Sequence, residues 1–184
     1  MRPRPPTRQL DAAGLPTAPQ IAAAIFASVL AFAPLSAQAV SLDAPAMVRT
    51  TEAFGALKRL QGDWRIQSQG KTLSILMSYD LGSKDSIVTE RFGRELSVFY
   101  QAGDRLMMTH FCNAGNQPRL QLAPSNDPKV LDFELVDITN LTRPTDPHVH
   151  RIVYRLVDDH TLILNIVWTR PNGEETESYV LHRI

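Results

Sequence analysis

An all-β fold, an antiparallel up-and-down barrel of about 8–10 strands behind one short N-terminal helix, is what this sequence predicts, and three observations predict it. From Trp64 onward, apolar and polar side chains alternate with a period of two through one short stretch after another. Gly, Pro, Asn and Asp collect between the stretches, in groups too short to hold a crossover helix. Such links join antiparallel neighbours, and a long meander removes its exposed edges by closing on itself.

The chain opens with Arg2, Arg4 and Arg8, an apolar run over residues 21–35, and Ala37-Gln38-Ala39. That order of charge, apolar core and small-x-small site is a secretory signal, so residues 1–39 are expected to be a signal peptide, cleaved after Ala39. The run is shorter than the roughly 20 residues that cross a bilayer, and Pro34 sits near its end, so no membrane span is expected after cleavage. The expected location is periplasmic or secreted. Removing residues 1–39 takes away three Arg and Asp11, turning 19 basic against 19 acidic side chains into 16 against 18. A mildly acidic surface gives no reason to expect nucleic acid as a partner. Cys112 stands alone, so no intrachain disulfide can form even where export would allow one.

Residues 40–61 read as a linker and the helix. Met47, Thr50, Phe54, Leu57 and Leu60 fall at three- and four-residue spacing, with Asp43 as a fair N-cap and Gly62 as a stop. The period then changes from 3.6 to 2. Trp64, Ile66 and Ser68 alternate with Arg65 and Gln67, and a connection at Gln69-Gly70 of hairpin size leads into Leu73, Ile75, Met77 and Tyr79. The same pattern runs through 86–92, 95–101, 105–112, 119–122, 129–139, 150–157, 161–169 and 174–183. Turn residues separate these stretches at 81–83, 102–104, 158–159 and 171–173. Leu162, Leu164, Ile166 and Trp168 form one packed face, with Asn165 opposite.

Gly62-Asp63-Trp64 after a helix and at the head of a meander, with Arg183 near its end, resembles the lipocalin-like (calycin) superfamily. The resemblance covers 62–184 in pattern and implies that Trp64 plugs the closed end, that Arg183 packs across it, and that the barrel binds a ligand. The stretch 109–119 is also similar to a segment of uncharacterised secreted bacterial proteins, which implies no activity.

That stretch, THFCNAGNQPR, is the densest polar run and has no formal charge before Arg119. Amides, an imidazole and a thiol can bind a ligand without bringing charge, whereas a self-satisfied turn at Asn113, Gly115 and Asn116 is the plainer reading. On 105–112, Leu106, Met108, His110 and Cys112 share one face. On 150–157, His150, Ile152, Tyr154 and Leu156 do. The candidate ligand contacts are therefore His110, Asn113, Asn116, Gln117 and Tyr154. Their expected partner is a small apolar or amphipathic molecule held without a covalent bond in an apolar interior.

The histidines and the single thiol suggest further chemistries. His148-x-His150 could offer two ligands from one strand face, but no third lies at a diagnostic spacing, so no metal site is expected. Nothing local favours His110 or His182 as a haem ligand, and no cofactor is expected. A small secreted enzyme using His110 and Cys112 is one alternative; two residues apart on a strand, their roots lie roughly 6–7 Å apart. Glu90, Arg91 and Arg94 about Gly93 read as a solvated hairpin end. A barrel filled by its own side chains, serving as an interaction protein, is the other alternative.

Overall fold

The computed structural model describes residues 44–184. The expected signal peptide, the linker before the helix and the Asp43 cap lie outside the described residues. Helix α1 (Ala44–Lys58) is followed by ten strands: β1 (Gly62–Ser68), β2 (Lys71–Gly82), β3 (Ile87–Phe92), β4 (Glu95–Ala102), β5 (Arg105–Phe111), β6 (Gln117–Leu122), β7 (Val130–Thr139), β8 (His148–Asp158), β9 (Thr161–Arg170) and β10 (Gly173–Arg183). Every consecutive pair is antiparallel, and β1 lies between β2 and β10, closing the barrel. Among the described residues no helix is long and apolar enough to cross a membrane.

The helical stripe is buried from Thr50 through Ala53, Phe54, Leu57 and Leu60, whereas Met47, on the same stripe, is exposed. Thr50 Oγ1 donates to the Asp104 carbonyl at 2.7 Å and Arg49 to the Val130 carbonyl at 2.8 Å, fixing α1 across the barrel end where β4 passes into β5 and β7 begins. The turns at 83–86, 103–104, 123–129 and 159–160 share this closed end. Those at 69–70, 93–94, 112–116, 140–147 and 171–172 surround the other, the mouth.

Alternation places one set of side chains inside. Trp64, Tyr79, Phe99, Phe133 and Tyr154 are each 0% exposed, so no void wide enough for water touches them. Phe99, Phe133 and Tyr154 pack edge to face with ring centres 5.5, 5.9 and 6.1 Å apart. Each such pair contributes about 0.5–1.5 kcal/mol beyond area burial. The half of the interior nearest α1 is thus a solid apolar and aromatic floor. An apolar cavity running the depth of the barrel, as the sequence led us to expect for a bound ligand, has no room there.

Candidate functional site at the mouth of the barrel

The closed end is a structural plug. Trp64 pairs with Arg183 across β1 and β10, and the guanidinium lies 4.4 Å from the centre of the indole ring. Arg183 also donates to the carbonyls of Arg59, Gln61 and Asp159 at 2.6, 2.6 and 2.9 Å, while Trp64 Nε1 donates to Leu60 O at 2.8 Å. Gly62 turns the chain here with φ of 120°.

Above the floor, polar side chains stand inside the barrel. Glu90 on β3 and Ser97 on β4 are cross-strand partners, and Ser97 lies opposite His110 on β5. Ser97 Oγ donates to Glu90 Oε1 at 3.1 Å and lies 3.1 Å from His110 Nδ1. With the hydroxyl proton given to the carboxyl group, Ser97 Oγ accepts from His110 Nδ1–H, and the imidazole lone pair is left on Nε2. That atom is buried, has no hydrogen-bond partner, and lies 3.9 Å from Glu95 Oε1. Glu95 Oε1 in turn accepts from the Asn113 amide at 3.0 Å and from the Cys112 thiol at 3.6 Å.

Burial sets the protonation of this column. Desolvation raises the pKa of Glu90, and the Tyr79 and Tyr154 hydroxyls that face it, with the Ser97 hydrogen bond, offset only part of the rise. Desolvation lowers that of His110 against the pull of Glu95, favouring the neutral ring. Desolvation also pushes the Cys112 thiol up to about 11, which argues against a ready thiolate nucleophile at neutral pH. Ser97 sits between carboxyl and imidazole. Glu95 faces the far nitrogen of His110, but at 3.9 Å it lies beyond hydrogen-bond distance, and the buried Ser97 hydroxyl donates to Glu90, so the hydroxyl is not activated as in a hydrolytic triad.

The rim holds an open hollow of about 570 Å³ whose walls include Asn113, Asn116, Asn140, Trp168 and Arg170. Arg170 stacks on the Trp168 ring at 4.3 Å and is tied to Glu175 at 3.0 Å. Asn116 Nδ2 donates to Pro147 O at 2.9 Å, bridging the 112–116 and 140–147 loops, while its Oδ1 and Trp168 Nε1 are buried without partners. Gly115, at φ of 85°, makes the tight turn of the 112–116 loop, its amide donating to Cys112 O at 3.0 Å.

The five sequence-derived contacts therefore do not meet at one point. Asn113 and Asn116 line the hollow; His110 lies deeper, in the polar column. Tyr154 belongs to the aromatic floor, its hydroxyl 3.9 Å from Met108 Sδ and facing Glu90. Gln117 is occupied at the rim, accepting from Thr139 and Asn140 at 2.7 and 2.9 Å. Glu90 is a correction: alternation turns it inward and buries it, so it is no solvated hairpin charge. His148 and His150 are split by a bulge between Val149 and Arg151; His150 pairs with Glu174 and Thr169, and His148 Nδ1 lies 2.7 Å from Asp146 O. Sequence reading missed Ser97 and Glu95, although both share their parity on β4 with the core residue Phe99.

No family model matches this chain, and no curated protein matches it. Among solved structures it is similar to a redesigned β-barrel, at TM-score 0.33 and 16% identity over 70% of this chain and 95% of that one. It is also similar to Rv2717c from M. tuberculosis, at TM-score 0.45 and 19% identity over 72% and 97%. Likenesses at this level say nothing about activity.

Proposed function

We propose that this protein is an exported, lipocalin-like barrel that binds one small amphipathic molecule at its mouth. The observation that carries this reading is the rim hollow. It combines the Trp168 indole, capped by the Arg170 guanidinium, with three Asn side chains, at the open end of a barrel whose floor is closed. An apolar surface with a few convergent polar groups is what small-molecule sites offer. The apolar part of the ligand lies against Trp168; its polar group meets Arg170 and Asn113, and a donor on the ligand can reach the free Oδ1 of Asn116. The Arg183–Trp64 stack beside Gly62-Asp63-Trp64 supports the lipocalin-like assignment. The apolar run at 21–35 and Ala37-Gln38-Ala39 support export.

The test uses residues 40–184 and a dansyl-labelled medium-chain fatty acid, followed by native mass spectrometry and by energy transfer from tryptophan. One probe per chain is expected, with affinity reduced about tenfold or more by Trp168→Ala, equivalent to about 1.4 kcal/mol. No saturable binding by this probe or by cationic and neutral amphiphiles of the same length would refute the reading. Intact mass of the exported protein should place its N-terminus at Val40.

A further inference from the structure

We propose a transition-metal site of the zinc class formed by Glu95, His110 and Cys112, at the head of the polar column. Glu95 Oε1 lies 3.9 Å from His110 Nε2 and 3.6 Å from Cys112 Sγ, and the three donor atoms lie within 4.8 Å of one another. In a tetrahedral zinc centre with bonds of about 2.0–2.3 Å, donors stand about 3.3–3.8 Å apart. The three side chains need to close by at most about 1.5 Å to meet that geometry.

The topology explains the juxtaposition. His110 and Cys112 are two residues apart, on β5 and just past its end, while Leu96 pairs with Phe111 and so brings Glu95 across from Cys112. An ordinary rim would account for Glu95 accepting from Cys112 and the Asn113 amide. It does not account for His110 Nε2, a ring nitrogen buried without a hydrogen-bond partner and facing the carboxylate 3.9 Å away.

The surroundings match what a metal needs. Ser97 holds Nδ1 and so fixes the imidazole with Nε2 free to ligate. The Asn113 amide steadies the carboxylate, and the Ala114 amide donates to Cys112 Sγ at 3.4 Å, orienting the sulfur. Carboxylate and thiolate together cancel a divalent charge, so burial costs the occupied site little. Sulfur and imidazole donors suit zinc or cobalt and not calcium or magnesium. Three protein donors leave a fourth position for water or for an electron-pair donor, and the pattern is that of an open site.

This inference is independent of amphiphile binding, and its test contains no organic ligand. Chelator-stripped protein is titrated with Co²⁺ alone. One ion per chain is expected, displaced by Zn²⁺, with a thiolate-to-cobalt charge-transfer band in the near ultraviolet. Cys112→Ser, close in shape, should abolish the band; Glu95→Gln should weaken uptake about tenfold or more; His150→Gln should change neither. Zn²⁺ should raise the melting temperature of the wild type and leave that of Cys112→Ser unchanged, which separates lost metal from lost fold. No stoichiometric uptake at micromolar free metal, or uptake without the band, would overturn the proposal. So would uptake that survives Cys112→Ser undiminished.

Discussion

Replacing Glu90 by Gln tests whether the polar column is held together by a neutral carboxyl group. Glu90 is fully buried, and desolvation raises its pKa above the ordinary 4.5. Between 4.5 and the raised value, the folded state carries a proton that the unfolded state has released. Stability is therefore complete below the ordinary value, falls as pH rises through this window, and levels off above the folded value. The slope is about 1.4 kcal/mol per pH unit for one proton, or about 4 °C in melting temperature for a domain of this size. Gln keeps the shape and can still accept from Ser97, but cannot ionise. The gain in unfolding free energy from Glu90→Gln, measured in urea at steps from pH 4 to 8, is expected to grow with pH and then flatten. His110, lowered below its ordinary 6.5 by burial, has the opposite sense, losing stability as pH falls; present in both proteins, it largely cancels in the difference. Tyr79 and Tyr154, which also face Glu90, titrate only at higher pH. A difference that stays constant across the range would refute the reasoning.

Arg183→Ala removes three bonds to carbonyls and the indole stack, and is expected to cost about 2–3 kcal/mol in urea denaturation, since part of the side chain is solvated. A loss under about 1 kcal/mol would mean that α1 seals the closed end without it. Phe133→Ala opens the floor under Phe99 and Tyr154 and should cost about 3–5 kcal/mol by the same measurement. Ser97→Ala leaves Glu90 and His110 without their shared partner. It should lower stability by about 1–3 kcal/mol and weaken Co²⁺ uptake about tenfold or more, measured by calorimetry; unchanged uptake would place Ser97 outside the metal's support.

Much of the fold was legible because its signal is local. A period of two in Trp64-x-Ile66, in Leu162-x-Leu164-x-Ile166-x-Trp168 and in the stretches between them is set by the pleat, and short turns leave few ways to connect such strands. The site was less legible because its members take their meaning from neighbours across the sheet. Glu90 shares parity with Val88 and Phe92, yet a charge beside Arg91, Gly93 and Arg94 reads locally as surface. Only register brings it to Ser97, and only register brings Glu95 to Cys112. His150 shows the opposite case: simple alternation turned it inward with Tyr154, and a bulge after Val149 moved it to Glu174.

The order of layers along the barrel axis has a mechanical consequence. A buried carboxyl group with a free oxygen is costly wherever it stands, and it persists only where the surroundings fix it. Here the fully buried rings of Phe99, Tyr79 and Tyr154 lie beneath it, held by packing that owes nothing to the mouth. That floor holds Glu90, Ser97 and His110 in one geometry from below, apart from the 112–116 and 140–147 loops at the mouth. Stability drawn from the closed end and the binding proposed for the open end would then vary separately. Under the proposed reading, substitution of an exposed wall residue such as Asn113 should change binding with little effect on unfolding, and substitutions at the Trp64–Arg183 plug should do the reverse.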